Sequence, residues 1–354
     1  MLRIVTARCG IAPRVRVAGQ ARALVSRRTA LRLLALAPSG AALGGCTALS
    51  ANAPRFDAAA LTSDPTVLVA TNRKPASGGR TRPWFGPERA ARITFALAKL
   101  TPPDDSRFSL ASVGLDDWHL EGVAPVETIN GLIGPAPGTR DVLLYVHGFN
   151  QTFEAAVLDA AHLSDGIRFR GATMAFSWPS KAKLFDYGYD RESAMWSRDA
   201  LEQVFSGVIA SSAIGRVHIV AHSIGTMLAM ESLRQIYDRH GGVVVEKIGA
   251  VVFASPDIDM DVFSSSVERI GPIAKKVTVI TAVNDRALAV SSLLAGGITR
   301  VGAAEKAQLE GLGLRVIDAS QQGWGIINHD LFLSNAQIRQ VIRRAIDGRA
   351  LDHV

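Results

Sequence analysis

Short apolar runs alternate with stretches of helical spacing from about residue 140 onward, and that rhythm organises the chain. Asp141-Val142-Leu143-Leu144-Tyr145-Val146 is a compact run of strand length. Gln151 to Asp165 follows with helical spacing. Gly171 to Trp178 reads as the next strand, closed by Pro179. Asp190 to Ser211 reads as a helix, with Ala194, Leu201, Val204, Phe205 and Val208 as its apolar positions. Val217 to Ala221 is β-branched and apolar and leads into Ile224–Tyr237, where Met227, Leu228, Met230, Leu233 and Ile236 recur at helical spacing. Ile248–Ala254 and Lys276–Val283 predict two more buried strands, with a helix over Asp259–Gly271 between them. Leu314–Asp318 predicts a last strand and Ser334–Asp347 a closing helix. Strands alternating with helices predict an α/β fold: a mostly parallel sheet with helices on both faces.

The half before this rhythm is less regular. Thr66–Thr71 and Arg92–Leu100 predict strands, and Pro102 to Thr139 predicts a long irregular connection with one short strand near Trp118–Leu120. Ala287 to Leu312, rich in glycine and small residues, reads as a flap over a site or as a loose connection. A single catalytic domain over residues 63–354 is the economical reading.

The chemistry centres on Ala221-His222-Ser223-Ile224-Gly225, which joins a predicted strand to a predicted helix. A serine on such a turn, with small residues two positions to either side, is a nucleophile elbow of the α/β-hydrolase kind. The small neighbours are needed because the turn crowds the chain where the serine must stand clear. The helix start also aims free N–H groups at developing negative charge. In that fold the acid and the base follow the nucleophile in chain order. Asp285, in Asn284-Asp285-Arg286 after a predicted strand, is the first candidate for the acid, and Asp257 in Ser255-Pro256-Asp257 is the alternative. His329, in the loop between the last strand and the last helix, is the candidate base; His353 lies at the terminus. The oxyanion hole is expected from the N–H groups of Ile224 and of Phe149, in His147-Gly148-Phe149-Asn150. His147, His218 and His222 are expected to pack or to order loops. No cofactor is implied, and no His/Asp spacing suggests a metal.

Charge changes the picture only at the N-terminus. The formal net charge is +7, but residues 1–45 hold eight arginines and no acid. Removing those eight from 39 basic residues leaves 31 against 32 acidic ones, so the body is close to neutral and nucleic acid is not an expected partner. Ser26-Arg27-Arg28-Thr29-Ala30-Leu31-Arg32 resembles a twin-arginine export motif, followed by a short apolar segment and Leu43-Gly44-Gly45-Cys46, which resembles a lipobox. Residues 1–45 therefore read as a signal peptide, Cys46 as a lipidated residue and 46–62 as a tether. The expected location is the periplasmic face of the cell envelope, anchored to a membrane. Thr47 rather than aspartate after Cys46 leans towards the outer membrane by resemblance to Gram-negative lipoproteins. The two cysteines are Cys9 and Cys46, so the body holds no thiol chemistry.

The order of motifs resembles one family. Thr71-Asn72-Arg73, Tyr145-Val146-His147-Gly148-Phe149-Asn150, Phe176-Ser177-Trp178-Pro179-Ser180, the elbow, Ser255-Pro256-Asp257-Ile258-Asp259, Asn284-Asp285-Arg286 and a late loop histidine are similar to the bacterial α/β-hydrolases grouped as domain of unknown function 900. The resemblance implies that fold and a triad of Ser223, Asp285 and His329, and it implies no substrate. Aromatic residues on neighbouring segments, Trp178 and Tyr187 foremost, suit an acyl or aromatic pocket, whereas Phe185 and Trp196 are expected to cover core. The leading expectation is a serine hydrolase of carboxylic or lipid esters. Acyl transfer at the envelope, and a catalytically silent lipoprotein that binds a partner, are the alternatives.

Overall fold

The computed structural model describes residues 66–76, 82–102, 118–127, 140–294, 296–321 and 331–350. Nine strands form one sheet: β1 (Thr66–Pro75), β2 (Phe85–Thr101), β3 (His119–Val126), β4 (Arg140–Val146), β5 (Ala172–Ser177), β6 (Ile214–His222), β7 (Ile248–Ala254), β8 (Val277–Thr281) and β9 (Arg315–Asp318). Their order across the sheet is β3-β2-β1-β5-β4-β6-β7-β8-β9. From β1 through β9 every neighbouring pair is parallel, and β2 alone runs against the rest. The parallel strands are apolar on both sides because helices cover both faces, which is why they read as unbroken runs.

The helices are α1 (Phe153–Gly166), α2 (Tyr187–Trp196), α3 (Arg198–Ala210), α4 (Ile224–His240), α5 (Gly242–Lys247), α6 (Met260–Arg269), α7 (Arg286–Leu294), α8 (Lys306–Glu310), α9 (Leu331–Ser334) and α10 (Ala336–Ile346). One apolar layer packs α3, α4 and α6 against the sheet through residues such as Phe205, Leu233 and Phe263. The other packs α1 and α10 through Phe153, Leu163 and Ile342. Among the described residues no helix is long and apolar enough to cross a membrane.

Three expectations change. The helix predicted over Asp190–Ser211 is two helices that meet at Ser197, whose hydroxyl donates back to Ser193 O (2.7 Å) and accepts from Asn72 Nδ2 (2.9 Å). The stretch expected as a flap or loose connection contains α7, started by Asp285, whose Oδ1 accepts the N–H groups of Ala287 (2.9 Å) and Leu288 (3.2 Å). Phe185 and Trp196, expected over core, are exposed, Phe185 at 94%.

Candidate active site

Ser223 lies between the end of β6 and the start of α4 with φ 52° and ψ −126°. An L-residue there costs about 1–3 kcal/mol and persists only where its surroundings hold it. Both of its peptide groups are held. Its N–H donates to Ala254 O (3.0 Å), and its carbonyl accepts from Asp257 N (3.2 Å), Thr226 N (3.0 Å) and Thr226 Oγ1 (2.6 Å). The need for a small residue two positions on is now physical. A Cβ on Gly225 would lie 2.3 Å from His147 O and 2.8 Å from Val146 O, both backbone atoms that cannot turn aside. Ala221 occupies the other small position inside β6, between β4 and β7.

The loop after β4 presses against this turn. A Cβ on Gly148 would come 2.8 Å from His222 Nδ1 and 2.9 Å from Ser223 Cβ. His147 is buried beneath, its ring stacked on Trp178 with centroids 4.6 Å apart. Trp178 Nε1 donates to His147 O (2.8 Å), while His147 Nε2 stands 3.1 Å from Trp178 O and Nδ1 2.8 Å from Gly148 O. Burial, with the Arg73 charge adding to it, holds His147 well below the ordinary histidine range, so the ring is neutral and donates to one of those carbonyls. Its role is to order the loop. Beyond Phe149 the next N–H groups are occupied: Asn150, at φ 61°, donates to Asp190 Oδ2 (3.2 Å) and Gln151 to Ser180 Oγ (3.1 Å). Among the described residues the Phe149 N–H has no acceptor, and Ile224 begins α4, where N–H groups lack intrahelical partners.

A buried brace fixes this loop, and sequence reasoning did not assign it. Arg73, at the end of β1, donates to Ser177 Oγ (2.9 Å), Ser180 O (3.0 Å) and Gln151 O (2.8 Å). Burial lowers its pKa to about 10, so it remains a cation at neutral pH, with Glu154 and Asp190 as counter-charges. Asp190, raised by burial, accepts from Ser180 Oγ (2.5 Å) and Lys181 N (2.8 Å) as well as Asn150 N. The available signal was a cation directly after an apolar strand, in Thr71-Asn72-Arg73.

The two candidate acids occupy different settings. Both are buried. Asp257 is committed to a local network: Tyr187 Oη donates to Oδ2 (2.9 Å), Ser291 Oγ donates to Oδ1 (2.6 Å), and Arg300 Nε stands 3.1 Å from Oδ1. Arg300 is itself buried, so the pair is a closed ion pair that pins α7 through Ser291. Asp285 follows β8 and is held by its own backbone N–H to Ala282 O (3.0 Å) and by the two α7 N–H groups on Oδ1.

His329 and Cys46 lie outside the described residues, as does the whole segment read as signal and tether. The described chain stops at residue 321 and resumes at 331. On one side, Ser320 Oγ accepts from Val283 N (3.0 Å) and Ser320 O from Asn284 Nδ2 (3.0 Å), beside Asp285. On the other, Phe332 packs its ring on His222, centroids 4.6 Å apart, beside Ser223. The two aromatic pocket candidates also differ. Tyr187 stands edge-on to Phe149 at 5.5 Å and its hydroxyl lies 2.8 Å from that of Ser291, both donating to Asp257, whereas Trp178 is wholly buried and supports His147.

A protein family described as "Alpha/beta hydrolase of unknown function" (domain of unknown function 900) matches residues 135–345. An uncharacterized protein of Nostoc sp. is 23% identical over 140 residues, covering 32% of this chain and 36% of that one. The chain thus spans about a third of the length of that relative. Among solved structures, a predicted CIB-like hydrolase from Thermoplasma acidophilum aligns at 13% identity and TM-score 0.35, over 72% of this chain and 91% of that one. An esterase from Pyrobaculum calidifontis aligns at 14% identity and TM-score 0.33, over 60% and 78%. At such TM-scores neither likeness bears on function.

Proposed function

Because the chain belongs to that α/β-hydrolase family, matched over residues 135–345, we propose that it is a serine hydrolase of carboxylic esters working through an acyl-enzyme on Ser223. The observation that carries this reading is how the chain is held on either side of His329. The chain is bonded beside Asp285 at Ser320 and is packed beside Ser223 at Phe332, twelve positions later.

In this reading His329 accepts the Ser223 hydroxyl proton as Oγ attacks the ester carbonyl. The Phe149 and Ile224 N–H groups take the oxyanion. The imidazolium then gives its proton to the departing alcohol, leaving an acyl-serine. Water, deprotonated by the same histidine, attacks the acyl carbon and releases the acid and free Ser223. Asp285 orients the imidazole and stabilises its charged form. Cys46 carries the lipid that holds the enzyme to the envelope membrane, after export directed by residues 1–45.

An apolar acyl group suits the mouth of the site. Leu184 (67% exposed) and Phe185 (94%) project from the connection between β5 and α2, and Val290 and Leu293 (78%) from the outer side of α7. Tyr187, which begins α2, and Ser291, in α7, are tied together through Asp257, to which both hydroxyls donate. Exposed apolar side chains mark a ligand or partner site where they form one contiguous patch. On a series of p-nitrophenyl esters, the enzyme is expected to show a burst of nitrophenol. Phe185→Ser is expected to raise KM for octanoate about tenfold, roughly the worth of two buried methylenes, with acetate unchanged. Absence of turnover on every ester, by a folded protein, would overturn the ester assignment.

A further inference from the structure

Away from Ser223, the amino ends of the strands surround a cavity of about 700 Å³. His218 and Phe169 belong to its wall, together with the start of β4, the α1–β5 connection and the end of α10. His218 precedes Ser223 by five residues on β6, about 16 Å of strand, so this is a separate place from the catalytic turn. Five arginines line the cavity (Arg140, Arg168, Arg170, Arg343 and Arg349) against two aspartates, Asp141 and Asp347.

The acids are committed. Asp347 lies 3.9 Å from Arg343 Nε and 3.6 Å from Arg349 Nε. Asp141 accepts Arg216 N on Oδ1 (2.8 Å), and its Oδ2 stands 3.5 Å from His218 Nε2. His218 Nδ1 accepts from Ala250 N (3.1 Å), so Nε2 is the nitrogen that carries a proton towards Asp141. Arg140, Arg168 and Arg170 have no carboxylate partner among the described residues. Other cations at this end of the sheet are used differently: Lys247 donates to Ile214 O (2.7 Å) and Lys276 to Val245 O and Ile248 O (2.6 Å each).

Two features show that the three unpaired arginines are brought together at a cost. Arg140, at the start of β4, and Arg170, two residues before the neighbouring β5, line the same cavity, and like charges gathered there repel. Gly171 enforces the approach, since a Cβ there would lie 2.1 Å from Asp141 O. Arg168 has φ 51°, at the end of α1. Phe169 N donates to Ser164 O (2.9 Å) and Arg168 N to Asp165 O (2.8 Å), the turn in which glycine is the favoured residue at that position. An arginine in the left-handed region costs about 1–2 kcal/mol there. Fold stability alone would favour glycine, whereas arginine places a guanidinium at the cavity.

We infer that this cavity binds a phosphate-bearing anion, held by the guanidinium groups of Arg140, Arg168 and Arg170. Guanidinium forks match phosphate oxygens bidentately, and an anion among the three removes their mutual repulsion. The phosphate comes from a soluble phosphomonoester or from a phospholipid headgroup. β1 runs parallel to β5 and so begins, at Thr66, at this same end of the sheet.

The test uses the full chain, with glycerol 3-phosphate titrated calorimetrically and with phosphatidylcholine vesicles, with or without phosphatidylglycerol, in co-sedimentation at physiological salt. Arg168→Gly is the informative variant, because it relieves the strained turn: its Tm should equal or exceed that of the wild type while affinity falls at least tenfold. Arg140→Gln with Arg170→Gln should remove binding, and ester turnover should be unchanged in both. Binding of glycerol 3-phosphate that is weakened in Arg168→Gly supports the site with a soluble ligand. Phosphatidylglycerol-dependent sedimentation weakened in the same variant, without glycerol 3-phosphate binding, supports the headgroup. Binding of neither probe, or binding that these variants leave unchanged, overturns the inference.

Discussion

Ser223→Ala is expected to lower ester turnover by about 10⁴-fold or more while the protein melts within a few degrees of the wild type. Activity is lost because the acyl-enzyme can no longer form. Folding survives because the turn is held by the peptide groups on either side, through Ala254 O, Asp257 N and Thr226, and alanine keeps all of those bonds. Alanine meets the same strain as serine at φ 52° and adds no bulk. Steady-state kinetics beside a thermal melt separates the two effects. A variant that keeps turnover within tenfold of the wild type would remove Ser223 from the chemistry.

The second large effect distinguishes Asp285 from Asp257. Asp285→Ala is expected to lower kcat by about 10⁴-fold, since an imidazole without its carboxylate loses both orientation and stabilisation of its cation. The loss of the two α7 N–H bonds on Oδ1 should add a stability cost of about 1 kcal/mol, the usual worth of a helix cap. Asp257→Asn should behave in reverse. It leaves the buried Arg300 without its counter-charge, which typically costs about 3–5 kcal/mol of stability. The kcat of the folded fraction should change less than about tenfold, because the Asp257 oxygens already serve Arg300, Tyr187 and Ser291. Urea midpoints together with kcat for both variants decide the matter. A kcat collapse in Asp257→Asn, with near-normal rates in Asp285→Ala, would exchange the roles of the two acids.

Legibility in the sequence followed how local each structural cause is. The run from β6 through Ser223 to α4 could be read because strand, strained turn and helix are contiguous and each carries its own periodicity. β4, β5, β7 and β8 were legible because burial on both faces makes them short unbroken apolar runs. The pattern predicts β2 only from Arg92, whereas the strand begins at Phe85; its first part carries Pro87, Glu88 and Arg89 and has no alternation. For β3 the sequence predicts only a short strand near Trp118–Leu120, yet it extends to Val126 through Gly122 and Pro125, residues that an edge strand tolerates.

What escaped depends on partners far away in sequence. Ser197 breaks a continuous helical pattern where Asn72, 125 positions earlier, meets its hydroxyl. Arg73 reaches Gln151 and Ser180, so its bracing of the loop before α1 appears only once β1, β4 and β5 lie side by side. The closed pairing of Asp257 with Arg300 is equally long-range, so the different settings of Asp257 and Asp285 do not show in sequence order. Residue type alone puts Phe185 over core, because large aromatics usually are buried, and its exposure follows from a connection that carries it outward after Ser180 is tied to Asp190.

The most direct test of an activated nucleophile is reaction of the purified protein with a fluorophosphonate, followed by peptide mapping of the adduct. Attack of the serine hydroxyl on phosphorus, with loss of fluoride, needs the same deprotonated oxygen and the same oxyanion donors as ester hydrolysis. The predicted result is one adduct on Ser223, absent in Ser223→Ala and strongly slowed in His329→Ala. A folded wild-type protein that takes up no label, or takes it up elsewhere than Ser223, would contradict the serine hydrolase reading.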